Sequence, residues 1–261
     1  TLISDILNIT KSYKKFHKNI SIKLVEKNKF LRKNQKEKLN NIKNINFKWY
    51  DNFKKIEPKT SIIIANEFFD CFPIRQFHKR SGKWYEKYIN FDHKDKRFFF
   101  QNYEIQDQKT LSLLKPIREN FLEFSQTREN YFDEICRYIY KNRGVIILID
   151  YGYYENNNGF TLQSVFNHRN SNIFDNIGKQ DITALVDFKR FIKIAKKNNF
   201  KIINYSTQSK FLISNGIKQR KEIIEKNCSV HDKEIIQSGY QRLIDNDKMG
   251  SKFKVMVISK L

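Results

Sequence analysis

The chain has 261 residues, of which 39% are hydrophobic and 15% aromatic, so it is long enough to bury a sizeable core. Its 8 Gly and 3 Pro exclude collagen-like and other low-complexity classes. The longest purely aliphatic run, Val145 to Ile149, is too short to cross a bilayer. We therefore expect a soluble, globular protein without membrane insertion.

The formal net charge of +22 is typical of proteins that bind nucleic acids or anionic membranes. Lysines occur in nearly every segment, however, together with many Asn and Ile residues, as AT-rich coding would produce on a solvated surface. The cysteines Cys71, Cys136 and Cys228 form no CxxC pair, and the histidines show no metal-ligand spacing. We predict no disulfide framework and no metal site.

The first half of the chain alternates between predicted helices and strands. Residues 1–9 have the pattern of an amphipathic helix, residues 20–26 of a strand, 29–39 of a helix, 44–49 of a strand, and 61–65 of a strand buried on both faces. This alternation predicts an α/β fold.

The alternation is interrupted after residue 73. Residues 74–80 and 83–91 flank Ser81-Gly82, which is a two-residue hairpin signal, and a helix is predicted over 118–140. Residues 145–150 then form another buried strand. We interpret about 74–141 as an insertion of a hairpin and a helix into a single domain spanning 1–261.

The last third of the chain begins with a polar, Asn-rich segment without clear period, residues 151–181, which is longer than an ordinary connection. Asp187 is expected to cap a helix that ends at Lys197. A strand over 200–205, two further helices and a closing strand over 253–259 are predicted to follow.

Acidic residues follow three of the predicted strands. They are Glu26, the acids of Asn66-Glu67-Phe68-Phe69-Asp70, and Asp150, which precedes Tyr151-Gly152. In open α/β sheets, ligands bind outside the carboxyl ends of the strands, so this edge is the candidate site. Glu26 ends a strand that follows an N-terminal helix, as does the acid that holds ribose hydroxyls in nucleotide-binding folds. The glycine-rich turn of such folds is absent, and we expect it, with the first strand, immediately before Thr1.

The chain resembles the MidA-like group of class I S-adenosylmethionine-dependent methyltransferases, which includes a mitochondrial complex I assembly factor that methylates an arginine of a complex I subunit. Lys87 and Lys252 stand where this group usually has Arg and Leu. The matching stretches are Leu24-Val-Glu26 with Leu31-Arg32 and Gln35; Ala65-Asn-Glu-Phe-Phe-Asp70 with Pro73-Ile74 and Gln76-Phe77; Gly82 with Trp84 and Glu86; Leu148-Ile-Asp-Tyr-Gly152; Thr161-Leu-Gln163; His168-Arg169; Asp181-Ile-Thr-Ala184 with Val186-Asp-Phe188; Thr207-Gln208 with Phe211-Leu212; Gly216-Ile217 with Arg220; and Met249-Gly250 with Phe253-Lys254-Val255.

The resemblance implies a Rossmann-like sheet, S-adenosylmethionine as cofactor, and a protein arginine as acceptor in the mitochondrial matrix or a bacterial cytoplasm. The catalytic candidates are Asn66, Glu67 and Asp70. If the segment after residue 66 is helical, Glu67 and Asp70 lie on one face and can hold a guanidinium between them. Candidate cofactor-binding residues are Glu26, at the ribose, together with Trp49, Tyr50, Asp51 and Asn66. Candidate substrate-binding residues are Asp150, Tyr151, His168, Arg169 and Asp181.

A second interpretation belongs to another class of protein. The charge of +22 and the missing glycine loop are also consistent with a non-catalytic assembly module or a module that binds nucleic acid with strong salt dependence. Base methylation is disfavoured because no Asn/Asp-Pro-Pro-aromatic motif follows the strand that ends near Ala65. We rank the protein substrate first and consider nucleic acid the less favoured partner, and the sequence leaves the oligomeric state open.

Overall fold

The computed structural model describes residues 2–57, 59–155, 159–226 and 228–260. The chain forms two compact units, which divide between Lys59 and Thr60. Both units contain strands and helices in alternation, in agreement with the predicted α/β class. The interpretation of the whole chain as a single domain stays a prediction.

The first unit is a βαβ arrangement preceded by two helices. Its elements are α1 (Leu2–Ile9), α2 (Lys14–Asn19), β1 (Ser21–Val25), α3 (Lys29–Leu39) and β2 (Asn46–Tyr50). The helix α3 starts where predicted, because the Asn28 side chain accepts hydrogen bonds from the amides of Phe30 and Leu31. β1 and β2 pair in parallel, so their carboxyl ends lie at the same edge.

The described residues of the second unit form three sheets. Its strands are β3 (Ser61–Asn66), β4 (Arg75–Arg80), β5 (Lys83–Asp92), β6 (Arg97–Glu104), β7 (Phe121–Phe124), β8 (Gly144–Tyr153), β9 (Gln163–Phe166), β10 (Arg169–Ser171), β11 (Asp181–Thr183), β12 (Val186–Asp187), β13 (Lys201–Thr207) and β14 (Phe253–Lys260). Its helices are α4 (Gln108–Leu114), α5 (Gln126–Asn142), α6 (Phe188–Lys197), α7 (Gln208–Ser214), α8 (Ile217–Glu225), α9 (Val230–Ile244) and α10 (Met249–Lys252).

The main sheet is built around β8. β3 and β12 pair in parallel with successive parts of β8, and β14 pairs with β8 in antiparallel orientation and separates it from β13. Because β3 and β8 run in parallel, Asn66 and Asp150 come to the same edge of the sheet. This is the edge at which the sequence predicts the site.

An aromatic core joins α5, α6 and the segment after β3. The rings of Phe132 and Phe191 stack with centroids 4.4 Å apart, and Phe69 meets Phe191 edge-on at 4.9 Å. All three side chains are at most 1% exposed. Rings in such offset or edge-on contact add to the energy of apolar burial, so they fix the loop that contains Phe69 to the helices.

The region predicted as an insertion is an antiparallel sheet with strand order β6-β5-β4-β7. The predicted hairpin is confirmed: Ser81 and Gly82 have φ values of +49° and +78°, as a two-residue turn requires. The helix predicted over 118–140 begins only at Gln126, so this prediction is wrong at its start. Residues 121–124 pair with β4 instead, and the Ser125 hydroxyl then caps α5 by accepting from the Arg128 amide.

Two further predictions from the last third need correction. The segment predicted to lack regular structure contains the small antiparallel sheet β10-β9-β11, whose strands have only three or four residues. Among the described residues between β13 and β14 there are four helices, rather than the two predicted. The predicted cap of α6 is confirmed, because the Asp187 side chain accepts a hydrogen bond from the Arg190 amide at 3.2 Å.

Candidate functional site

In the first unit, Glu26 follows β1 and is held by hydrogen bonds on both of its carboxylate oxygens. Oε1 accepts from the Asn28 amide at 2.8 Å, and Oε2 accepts from Gln35 Nε2 at 3.3 Å. The Gln35 carbonyl oxygen in turn accepts from Trp49 Nε1 at 3.0 Å. Each carboxylate oxygen retains a lone pair, so the carboxylate can still accept bonds from two hydroxyls.

Trp49, Tyr50 and Asp51 lie at the end of the neighbouring strand. The backbone amide of Glu26 donates to the Tyr50 carbonyl at 2.9 Å, so the two strand ends are in register. Asp51 is exposed and pairs with Lys55 at 3.0 Å, and this hydrogen bond lowers the pKa of the Asp51 carboxyl. The structure thus groups four of the five predicted cofactor-binding residues at one edge, and it adds Gln35, whose role the sequence did not indicate.

These residues fit the nucleoside part of S-adenosylmethionine by the chemistry of their donors and acceptors. A carboxylate with free lone pairs at a strand end suits a ribose diol, and the neighbouring strand end has two half-buried aromatic side chains, Trp49 and Tyr50. Trp49 supports Gln35 through its indole nitrogen.

In the second unit, the loop after β3 holds Glu67 in an unusual backbone conformation. Its φ is +47°, in the left-handed region that non-glycine residues rarely adopt. The Glu67 amide donates to the Ile149 carbonyl at 2.9 Å, and the exposed side chain accepts from Asn66 Nδ2 at 3.2 Å. Backbone strain of about 1–3 kcal/mol at such a residue persists only where surrounding contacts enforce it.

The segment from Glu67 to Phe72 forms turns and not a helix, so the predicted helical face shared by Glu67 and Asp70 does not exist. Glu67 is exposed, whereas Asp70 is only 6% exposed. Burial raises the pKa of the Asp70 carboxyl, and the nearby Glu67 raises it further. Of the two acids, Glu67 is therefore the one whose carboxylate is open to a ligand.

The carboxylate of Asp150 holds this loop in place. One carboxylate oxygen accepts from the amides of Phe68 and Phe69 at 3.2 and 2.9 Å, and the other accepts from the Tyr151 amide at 2.9 Å. The side chain is 1% exposed, and burial raises its pKa to about 7, with a further contribution from Asp70. The predicted direct substrate contact of Asp150 does not agree with this burial, since its oxygens face backbone amides.

Arg128, which belongs to none of the sequence motifs, joins the loop to the segment before β12. Its Nη1 donates to the Leu185 carbonyl at 2.9 Å, and its Nη2 donates to the carbonyls of Ala184 at 3.1 Å and Asp70 at 3.4 Å. The Ala184 amide donates back to the Asp70 carbonyl at 3.0 Å. No local pattern distinguishes this arginine, because its partners are backbone carbonyls far away in sequence.

Tyr151 and Gly152 continue β8 beyond the anchor. The Tyr151 ring lies on Phe253 with centroids 3.8 Å apart, and burial followed by the charge of Glu67 raises the pKa of its hydroxyl. Gly152 allows β12 to approach, because a Cβ at this position would overlap the Val186 carbonyl. The charge of Glu67 thus acts on the Tyr151 hydroxyl, and the substrate-binding role of Tyr151 stays a prediction.

The remaining predicted substrate-binding residues lie on the small sheet. His168, with φ +62°, is in the turn between β9 and β10, Arg169 begins β10, and Asp181 begins β11. All three are exposed. The structure thus groups them with one another on one small sheet, and their role stays a prediction.

Among the described residues, no group of His, Cys, Asp and Glu could hold a metal ion. Over the same ranges, every helix is too short or too polar to cross a membrane.

A family model described as "Putative S-adenosyl-L-methionine-dependent methyltransferase" matches residues 1–206. The chain belongs to this methyltransferase family. The predicted family and its cofactor are thereby confirmed at the level of the family. The match includes both groups of strand-end residues described above.

Curated relatives extend the similarity of this methyltransferase family member to eukaryotes. A Caenorhabditis elegans protein named "Protein arginine methyltransferase NDUFAF7 homolog, mitochondrial" is 28% identical, over 98% of this chain and 64% of its own length. The Homo sapiens protein named "Protein arginine methyltransferase NDUFAF7, mitochondrial" is 25% identical, over 99% of this chain and 63% of its own. The chain spans about half to two thirds of the length of the curated relatives it matches.

Solved structures from the bacterium Burkholderia thailandensis have the same fold. One uncharacterized protein has a TM-score of 0.79 at 24% identity, covering 91% of this chain and 66% of its own. A second, crystallised with S-adenosyl-homocysteine, has a TM-score of 0.77 at 22% identity, covering 91% of this chain and 63% of its own. The predicted Rossmann-like α/β fold is confirmed. The names of the curated relatives place those proteins in mitochondria.

Proposed function

We propose that this chain takes part in S-adenosylmethionine-dependent methylation of a protein arginine. Support comes from its methyltransferase family and from the names of its curated relatives. The structural observation that carries the proposal is Glu67, an exposed carboxylate at a strand end whose strained backbone is fixed by hydrogen bonds. Strain of this kind clusters at functional sites.

Glu26, Trp49, Tyr50 and Asp51 would hold the nucleoside part of the cofactor, with Glu26 accepting from the ribose hydroxyls. In the second unit, Asn66 stays a candidate cofactor-binding residue by the resemblance alone. When bound, the cofactor supplies an activated methyl group on a sulfonium.

Glu67 would hold the acceptor guanidinium. Its carboxylate can accept two parallel N–H bonds and offset the positive charge of the guanidinium. Such a contact aligns the nitrogen that receives the methyl group. Methyl transfer is a nucleophilic displacement, and alignment of the reacting groups accounts for a large part of its rate. Asp150 contributes indirectly, because its bonds to the amides of Phe68 and Phe69 keep the Glu67 loop in place. Asp70 and Arg128 fix the opposite end of the loop.

The finer proposal names the acceptor. Following the resemblance, we propose an arginine of a respiratory complex I subunit, with methylation supporting complex I assembly in the mitochondrial matrix or the bacterial cytoplasm. His168, Arg169 and Asp181 are exposed on the small sheet and would contact the surrounding peptide.

The test measures transfer of label from methyl-labelled S-adenosylmethionine to complex I subunits, followed by amino-acid analysis for methylarginine. We expect Glu67→Gln to lower the rate by about 10²-fold or more, since one charged contact to the reacting group is lost. Glu222→Gln, which removes an exposed acid on α8, is the matched control and should leave the rate unchanged. Equal turnover of Glu67→Gln and the parent would contradict the assigned role.

Cofactor binding is tested separately, by calorimetric titration of S-adenosyl-homocysteine. Glu26→Gln keeps the hydrogen-bonding shape but loses the charge, and we expect weaker binding by about tenfold. Unchanged affinity would remove Glu26 from the ribose site while leaving the role of Glu67 open to its own test.

A further inference from the structure

The strand β6 is an open edge of the antiparallel sheet. It pairs with β5 from Asp92 opposite Arg97 to Tyr85 opposite Glu104 without a bulge, and all eight of its residues are exposed. Over the described ranges, no other strand pairs with it. Its outer backbone groups are therefore free to pair with a further strand.

The sequence of this edge lacks the usual protection against pairing, and the Phe174 ring contacts Phe98 and Phe100 on one face of the strand, with centroids 6.4 and 4.9 Å apart. Edge strands are normally shielded by lysine, proline or a bulge. Residues 98–103, Phe-Phe-Phe-Gln-Asn-Tyr, contain no charge and no proline, although the chain has 50 Lys and Arg residues. The side chains of Phe98, Phe99 and Phe100 are 39%, 37% and 41% exposed, and that of Tyr103 is 45% exposed.

The hydrogen-bonding pattern shows which backbone groups point outward. The Ile105 amide donates to the Trp84 carbonyl at 2.9 Å, so residues 84 and 105 form a hydrogen-bonded pair in the antiparallel ladder. Hydrogen-bonded and non-hydrogen-bonded pairs alternate along such a ladder. The β6 residues whose amides and carbonyls face away from β5 are therefore Phe98, Phe100, Asn102 and Glu104.

From this geometry we infer that β6 pairs with β6 of a second copy of the chain, in antiparallel orientation about a two-fold axis through Gln101. If the axis is perpendicular to the sheet, the same face of both copies points to the same side. Opposed residues then have side chains on the same face, so their residue numbers are both even or both odd. With the axis at Gln101, Phe98 opposes Glu104 and Phe100 opposes Asn102. All outward groups are then used, in about eight hydrogen bonds.

Side-chain complementarity favours a second copy as the occupant. In this register Phe99 of each copy lies opposite Tyr103 of the other, and such aromatic pairs stabilise sheets. The charges at the two ends are locally neutralised, because Arg97 pairs with Asp95 at 3.0 Å and Glu104 pairs with Lys83 at 2.9 Å. The net charge of +22 is thus not concentrated on the proposed contact.

The apolar side chains of β6 itself agree with a small interface. Phe98, Phe99, Phe100 and Tyr103 are 37% to 45% exposed and offer about 320 Å² per copy, taking about 200 Å² for each side chain. This area is below the about 800 Å² per partner of standard interfaces, so we expect a weak dimer that forms at high protein concentration.

Light scattering after size exclusion tests the dimer across protein concentrations up to about 100 µM. We expect a shift from 31.6 kDa toward about 63 kDa, twice the chain mass. Asn102→Pro removes one outward amide and leaves the ladder to β5 intact, so it should raise the dissociation constant about tenfold or more. Asn102→Ala is the matched control that keeps the amide. Phe99→Lys is a second variant, which keeps all backbone hydrogen bonds of the ladder. It removes the aromatic pair with Tyr103 of the other copy, so it should also weaken the dimer.

Cross-linking tests the register. In a background with Cys71 and Cys228 replaced by serine, Gln101→Cys should form an intermolecular disulfide, because opposed residues in a non-hydrogen-bonded pair lie about 4.5 Å apart. Asp95→Cys, exposed in the hairpin turn, should not. A chain that stays at 31.6 kDa throughout, or a dimer that neither Asn102→Pro nor Phe99→Lys weakens, would overturn the inference.

Discussion

Replacing Asp150 with asparagine tests which of two opposing effects sets the charge of the loop anchor. Burial of the side chain, which is 1% exposed, favours the neutral carboxylic acid. The three backbone amides that it accepts from favour the carboxylate. Burial is the larger effect, and it raises the pKa from 3.8 to about 7.

The magnitude follows from the linkage between protonation and folding. Because the folded-state pKa is above that of the unfolded chain, the proton on Asp150 stabilises the folded protein. This contribution is fully present below about pH 3.8 and is lost as the pH rises through about 7. Between pH 5 and pH 8 the loss amounts to about 2.5 kcal/mol, at 1.36 kcal/mol per unit of pKa shift.

The assay is urea unfolding of the parent and of Asp150→Asn at several pH values from 5 to 8. Asparagine cannot titrate, so the difference between the two proteins isolates Asp150 from the other ionisable groups. We expect the parent to lose about 2.5 kcal/mol relative to the variant over this range. A difference that does not change with pH would refute the raised pKa and show that the amides hold the carboxylate ionised.

Three further outcomes follow from the second unit. Gly152→Ala should lower the free energy of unfolding by about 2 kcal/mol or more, because the new Cβ would lie 2.7 Å from the Phe188 ring. Gly159→Ala is the control, since its Cβ would enter open space, and it should change stability little. Thermal melts of both variants measure the difference. Glu67→Gly should raise stability by about 1 kcal/mol in urea unfolding while lowering methyl transfer, since glycine adopts φ +47° without strain. Arg128→Met should lower stability by about 3 kcal/mol in the same assay, since buried carbonyls lose their donors.

The sequence predicts the parts of the fold that have strong local signals. α3 has its predicted bounds, with Asn28 capping its start in the structure, and β3 and β8 follow from their continuous apolar runs. β6 and β7 escape prediction because β6 is exposed on every residue and β7 depends on pairing with β4, a contact distant in sequence. The strands of the small sheet are too short and polar to show a period.

The location of the candidate site is predictable from the sequence, but the roles of its individual residues are not. Acids at the ends of parallel strands indicate the edge, and Asn66 and Asp150 do meet there. The period of the strand also indicates the orientation of the Asp150 side chain. Asp150 alternates with Ile146 and Leu148 on the buried face of β8, so its side chain had to point inward. Arg128 has no comparable signal, because tertiary contacts alone define its role.

The anchor and the strained residue should be energetically coupled. In the parent, the bonds from Asp150 hold the loop and thereby maintain the left-handed conformation of Glu67. When Asp150→Asn weakens the anchor, the loop can relax and the strain is released, which offsets part of the loss. Glu67→Gly removes that strain beforehand, so Asp150→Asn should then cost about 1 kcal/mol more than in the parent. A double-mutant cycle by urea unfolding at pH 8 measures this difference. Additive effects would mean that the neighbouring bond from the Glu67 amide to Ile149 maintains the conformation without Asp150.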